Sequence, residues 1–214
     1  MPNETQVIWM GMSNMKSLVI VLFLLGESAL GHSNKGKPIA EEMSLVPSGG
    51  IQLPTFELKD PSGAVVKFPD VATGNYALVY FGFTSCTEAC PLAATYIKSE
   101  LKQLSKKTPT PNLYFVSVDP EGDTPTKVGA WLKAFDPQWV GLLGPMDALR
   151  RAAKPFGASF DKALPAHKAT EKVLHSSIVY LVTPEGKWSQ YLRLPAKKGV
   201  LREAIEDLPA KKTM

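Results

Sequence analysis

Cysteine occurs only twice in the 214 residues and histidine only three times. That scarcity excludes a protein with several structural zinc sites, since each usually takes four Cys or His ligands. It also excludes a disulfide-scaffolded fold, and a chain of this length buries a core without one. Charge of one sign is not in excess. The 24 basic and 20 acidic residues leave a net charge of +4, spread along the chain, whereas a nucleic-acid binder carries a basic face or stripe. No apolar run reaches the ~20 residues that a membrane-spanning helix requires. What is present, 44% hydrophobic and 21% charged residues, is the composition of an ordinary globular protein. It fits one domain with extensions.

The first segment reads as a targeting signal. Lys16 precedes the apolar run Ser17–Leu25, which Gly26 and Glu27 interrupt, and Ala29-Leu30-Gly31 offers small residues for a signal peptidase. Residues 1–31 are therefore expected to be a signal peptide cleaved after Gly31, with Met15 a cleaner start than Met1. Their removal takes away Glu4, Lys16 and Glu27 and moves the net charge from +4 to +5. The mature protein is expected to be exported, in an oxidising compartment such as a bacterial periplasm. No transmembrane anchor is predicted.

Residues 32–50, rich in Gly, Ser, Lys and Pro, predict a flexible lead-in. A single domain is expected over residues 51–210. Thr55–Leu58 and Val65–Phe68 flank Asp60-Pro61-Ser62-Gly63, a hairpin signal. Tyr76–Phe83 and Leu113–Val118 are nearly continuous apolar runs, as strands buried on both faces are. A helix is expected from about Pro91, with Leu92, Tyr96, Ile97, Leu101 and Leu104 on one stripe. A second follows Thr124-Pro125, an N-cap with Pro in the first turn. Trp139–Leu143 predicts a short strand, and Met146, Leu149, Ala153 and Phe156 a third helix. Residues 157–174 show no periodicity and read as a polar loop. Ser177–Val182 and Trp188–Leu192 predict strands around a turn at Pro184–Lys187, and Val200–Leu208 a last helix. The order is that of an α/β, thioredoxin-like three-layer fold: a central mixed sheet, helices on both faces and an N-terminal β-hairpin.

Both cysteines fall where the first core strand meets its helix, in Thr84-Ser85-Cys86-Thr87-Glu88-Ala89-Cys90-Pro91. Ligands bind at that edge of open α/β sheets, and a helix N-terminus stabilises thiolates. Cysteines at i and i+4 share a helical face, so both sulfurs can converge on one ion at ~2.3 Å. A disulfide is also open to them but needs Cβ atoms within ~4.5 Å. A structural bridge is the plainer reading of two exported cysteines, but such bridges usually close longer loops. His175 precedes the strand from Ser177. If that strand is antiparallel to the central ones, His175 comes to the same edge. Two thiolates and an imidazole suit Cu(I) and Cu(II). Asp119 and Asp123 are expected either to shape a turn or to tune the cysteines from behind. His32 at a mature N-terminus and His167 are minor candidates for copper. The lysines at 197–198 and 211–212 read as solvated surface.

With the residues Gly82–Pro91, Val116–Pro125 and His175–Val182 in this order and spacing, the chain resembles the Sco/SenC family of copper-binding proteins, which assist assembly of cytochrome c oxidase. The resemblance covers roughly residues 51–208. It implies a thioredoxin-like fold and a copper ion held by Cys86, Cys90 and His175. It also implies a role in delivering copper to the dinuclear copper centre of the oxidase, or in reducing that centre's cysteines. The partner is then the copper-site subunit of the oxidase or another copper chaperone, with no nucleic acid, and the default state is a monomer. The family often has an Asp just before the ligand His, where this chain has Leu174. The rival function is a thiol–disulfide oxidoreductase, with Cys86 attacking, Cys90 resolving and no need of His175. A peroxidase of the peroxiredoxin type expects Pro and Thr at another spacing, and Thr84 is misplaced for it.

Overall fold

The computed structural model describes residues 43–45, 50–70, 74–162, 173–175 and 177–208. All belong to one compact unit. The predicted signal peptide, His32 and His167 lie outside the described residues, and no helix among those described is long and apolar enough to cross a membrane.

The strands are β1 (Met43–Leu45), β2 (Ile51–Gln52), β3 (Phe56–Lys59), β4 (Val65–Phe68), β5 (Ala77–Gly82), β6 (Asn112–Ser117), β7 (Val140–Leu142), β8 (Phe160–Lys162), β9 (Val173–His175), β10 (Ile178–Val182) and β11 (Lys187–Arg193). The helices are α1 (Ala89–Lys102), α2 (Pro125–Phe135), α3 (Met146–Ala153) and α4 (Val200–Glu206). The main sheet runs β1-β11-β10-β5-β6-β7, with β2 also on β11. Strands β5, β6 and β7 are parallel. Strand β10 runs antiparallel to β5, and β11 antiparallel to β10. The sheet is therefore mixed, with β5 at its centre.

Every residue of β5 is buried, as its unbroken apolar run predicts. Its side chains alternate between two faces. Tyr80 and its register partner Phe115 share one face, where Phe115 packs on Trp131 of α2 at 4.9 Å between ring centroids. Phe81 points to the other face, against Phe156 at 5.5 Å and Tyr180 at 6.1 Å. Two successive right-handed crossovers in one direction, β5-α1-β6 and β6-α2-β7, put both helices on one face. The chain then doubles back across the sheet to β10, and α3 with the β3–β4 hairpin covers the opposite face. The hairpin docks there through Phe68 on Tyr114 at 5.0 Å and through paired backbone bonds between Lys59 and Leu143. Its turn is closed by Asp60, whose carboxylate accepts from the N–H and hydroxyl of Ser62 and the N–H of Ala64. The Ser62 hydroxyl bond is the main reason that this carboxyl is held below its usual range.

Three local features differ from expectation. Helix α1 begins at Ala89 rather than Pro91, because a proline in the first turn gives up an N–H that has no partner there anyway. Within the predicted lead-in, Met43–Leu45 pairs with β11 as an edge strand. Within the predicted loop 157–174, Phe160–Lys162 and Val173–His175 pair antiparallel. Strands of three residues are too short to leave a readable period. A buried carboxylate also serves the fold: Glu100 of α1 accepts from the backbone N–H groups of Gly199 and Arg202 and so caps α4.

Candidate functional site

The chain leaves β5 at Gly82, passes through buried Phe83 and turns, with the N–H of Cys86 on the carbonyl of Phe83 at 3.3 Å. Helix α1 follows at once. A helix leaves its first N–H groups without intrahelical acceptors, and Glu88, at the N-cap, makes no side-chain bond to them. The Cys86 sulfur takes that place, accepting the N–H of Cys90 at 3.3 Å. Two thiols are thus brought to one helix start at the carboxyl edge of the central strand, as their place between strand and helix predicts, with Cys90 in the helix and Cys86 in the loop before it.

The two thiols have different surroundings. Cys86 is half-buried and Cys90 fully buried, and neither is in a disulfide. The Cys90 sulfur lies 3.8 Å from the Tyr80 hydroxyl, which donates to it. A side-chain hydrogen bond to Cys86 and then burial push the Cys90 thiol well above its ordinary range. Burial does the same to the Tyr80 hydroxyl. Gly82 permits this packing. A Cβ there would lie 2.8 Å from the Tyr80 ring, 2.9 Å from the Phe115 ring and 3.0 Å from the Cys90 sulfur.

Asp123 sits behind the loop and is only 5% exposed. Its carboxylate accepts from the Thr84 N–H at 3.1 Å, from the Thr84 hydroxyl, and from the Ser117 hydroxyl at 2.6 Å. It therefore ties the cysteine loop to the end of β6, where the N–H of Val118 also donates to the Gly82 carbonyl at 2.9 Å. Asp119 holds the adjoining turn, its carboxylate accepting the N–H of Gly122 at 3.0 Å. Asp123 reaches the cysteine loop directly; Asp119 shapes the turn that presents Asp123. Asp123→Ala leaves three donors without an acceptor and is expected to lower the unfolding free energy by about 2–4 kcal/mol. Urea unfolding of the reduced protein measures this, and a loss under about 0.5 kcal/mol would mean that water replaces the carboxylate.

Strand β10 is antiparallel to β5, with Val179 opposite Tyr80 and Val182 opposite Ala77. Its start therefore comes to the carboxyl end of β5, the condition under which His175 belongs to the thiol edge. The backbone of His175 ends β9, paired with Phe160. The imidazole of His175 lies outside the described side chains. Among the described residues no group of three His, Cys, Asp or Glu side chains is arranged to hold a metal ion. Two side chains that the sequence did not single out as functional join the site. Ser177 places its hydroxyl 3.3 Å from that of Tyr80, and Tyr80 reads as core from its apolar neighbours alone.

A cleft of about 480 Å3 opens beside the loop, lined by residues that include Leu58, Val65, Pro120, Asp123 and Pro145. The two thiols do not line it.

The sequence profile of the SCO1/SenC family matches residues 49–209. An SCO2-like protein of Rickettsia conorii is 27% identical over 90% of this chain and 96% of its own length. The human protein SCO1 homolog, mitochondrial, is 28% identical over 89% of this chain and 65% of its own. Among solved structures, yeast Sco1 with copper bound superposes with a TM-score of 0.63 at 29% identity, over 76% of this chain and 91% of that one.

Proposed function

Because this chain belongs to the SCO1/SenC family, we propose that it is an exported copper carrier. It takes Cu(I) or Cu(II) on Cys86, Cys90 and His175 and serves assembly of the dinuclear copper centre of cytochrome c oxidase, with a copper-site subunit or another copper chaperone as partner. One observation carries the reading: two thiols outside any disulfide meet at the start of α1, and the antiparallel β10, which follows His175 in the chain, starts at the same edge. The copper-bound state of yeast Sco1 is further support.

The donor set fits the cargo. Soft thiolates suit Cu(I), and adding an imidazole suits Cu(II) as well. Asp123 and Gly82 keep the cysteine loop in place behind the sulfurs, so the two thiols are held together before the metal arrives. The half-buried Cys86 is the sulfur that an incoming ion meets first, and Cys90 closes the site from within.

Anaerobic titration of the reduced protein with Cu(I), and with Cu(II) under the same conditions, tests the reading. Cys90→Ser is expected to weaken copper binding at least about a hundredfold, since each ligand supplies a large share of a metal site's binding energy. His175→Ala is expected to weaken Cu(II) binding about tenfold or more. Micromolar or weaker binding that ignores His175→Ala, together with rapid reduction of an insulin-type disulfide, would sink the carrier reading.

The unequal exposure of the two thiols favours a second reading, a thiol–disulfide oxidoreductase acting on a partner's copper-site cysteines. The Cys86 thiolate attacks one sulfur of the partner disulfide, forming a mixed disulfide and releasing a partner thiolate. The Cys90 sulfur then attacks that of Cys86 and expels the second partner sulfur as a thiolate, which takes up the proton that Cys90 loses. The partner gains two electrons and this protein ends as the Cys86–Cys90 disulfide.

A further inference from the structure

We propose that Tyr80 is a positioning residue that links the buried thiol to the chain segment carrying His175. The proposal rests on the reading that the two cysteines and His175 act as one site. The Tyr80 side chain is 2% exposed. Its hydroxyl lies 3.8 Å from the Cys90 sulfur and 3.3 Å from the Ser177 hydroxyl. A phenol has one proton to give and lone pairs to receive another. With Tyr80 donating to the sulfur, Ser177 donates to Tyr80, and the three groups form a directed chain from Ser177 through Tyr80 to Cys90.

The neighbourhood does not need a hydroxyl for packing. Phe81, Phe83 and Phe115 fill equivalent buried positions without one, and an unbonded buried hydroxyl costs free energy. The register places the link. Val179 opposes Tyr80, so Ser177, two residues earlier, lies toward the carboxyl end of β5. His175 is two residues earlier again. Tyr80 thus holds the point at which the His175 segment joins the sheet, and holds it to the sulfur that the same site uses.

The test starts without metal. The protein is equilibrated in a mixture of reduced and oxidised glutathione, in which two glutathione thiols become glutathione disulfide as the protein disulfide becomes a dithiol, and the reverse. Tyr80→Phe removes a donor to the Cys90 sulfur in the dithiol form. It is expected to shift the equilibrium toward the disulfide by about three- to tenfold. Ser177→Ala is expected to shift it in the same direction, and the double variant no further than Tyr80→Phe alone. Ser177→Thr, which keeps a hydroxyl, is expected to restore the wild-type constant. The pair Ser177→Ala and Ser177→Thr keeps the test informative should Tyr80→Phe fold poorly.

The link is overturned if Ser177→Ala leaves the constant unchanged, or if the two shifts simply add. Tyr80 would then only pack against Cys90. Cu(II) titration of His175→Ala separates this from the reading beneath it. Unchanged Cu(II) affinity there overturns the three-residue site whatever the glutathione result. Weakened affinity together with an unmoved Ser177→Ala overturns the link alone.

Discussion

In the folded, reduced protein, a small alkylating reagent is expected to label Cys86 at least about a hundredfold faster than Cys90 at neutral pH. Two causes act in the same direction. Cys86 is half-buried and Cys90 fully buried, so the reagent reaches one sulfur and not the other. The nucleophile is the thiolate, and the hydrogen bond to Cys86 with burial raises the Cys90 thiol, so that little of it is ionised. Raising the pH ionises Cys90 only above the range of an ordinary thiol. Its share of the label should therefore grow on the alkaline side and not at neutrality. Peptide mapping after brief labelling reads the ratio directly, and denaturant should bring it close to one. Comparable labelling of both cysteines in native protein would mean that the start of α1 opens readily, and the attacking and resolving roles would lose their basis.

The second large effect is at Gly82. Gly82→Ala is expected to destabilise the protein by about 2–3 kcal/mol, the usual cost of forcing a methyl group into a packed core. The added Cβ would meet the Tyr80 ring at 2.8 Å, the Phe115 ring at 2.9 Å and the Cys90 sulfur at 3.0 Å. Neither ring can withdraw, because both are buried, Phe115 against Trp131. The sulfur is the softest of the three neighbours and lies on the first turn of α1, so the strain falls on the thiol site. Gly129 is the control. It lies within α2, where a Cβ meets only Pro61, at an ordinary 3.5 Å. Gly129→Ala should stabilise by up to ~1 kcal/mol through helix propensity. Thermal or urea unfolding of the two variants should move in opposite directions. If Gly82→Ala melts like the wild type, the packing behind Cys90 is looser than these distances imply.

Much of the fold was legible because it is local. The unbroken apolar run of β5 marks a strand buried on both faces. Thr124 and Pro125 mark the start of α2, where the Thr124 hydroxyl does accept the N–H of Lys127. The β8–β9 pair was not legible, since three-residue strands carry no period. At the site, the cysteine pair could be read from its place between strand and helix. Asp123 could be placed near it but not on Thr84, 39 residues away. Tyr80 and Ser177, 97 residues apart, gave no signal, because a tyrosine in an apolar run looks like core.

The sequence by itself determined which groups are available: two thiols at one helix start, a histidine ahead of a strand, and a nearby acidic pair at a turn. Those follow from spacing along the chain, which local geometry converts into position. Only the tertiary structure decided how the groups differ and what supports them. Cys90 is buried and Cys86 half-buried because Cys90 lies in the first turn of α1, among the core residues, while Cys86 lies in the loop three residues before that helix. The start of β10, three residues after His175, comes to that edge because β10 pairs antiparallel with β5. Pairing direction and register are set by which faces must be buried together across the whole sheet, and no stretch of residues carries that information alone.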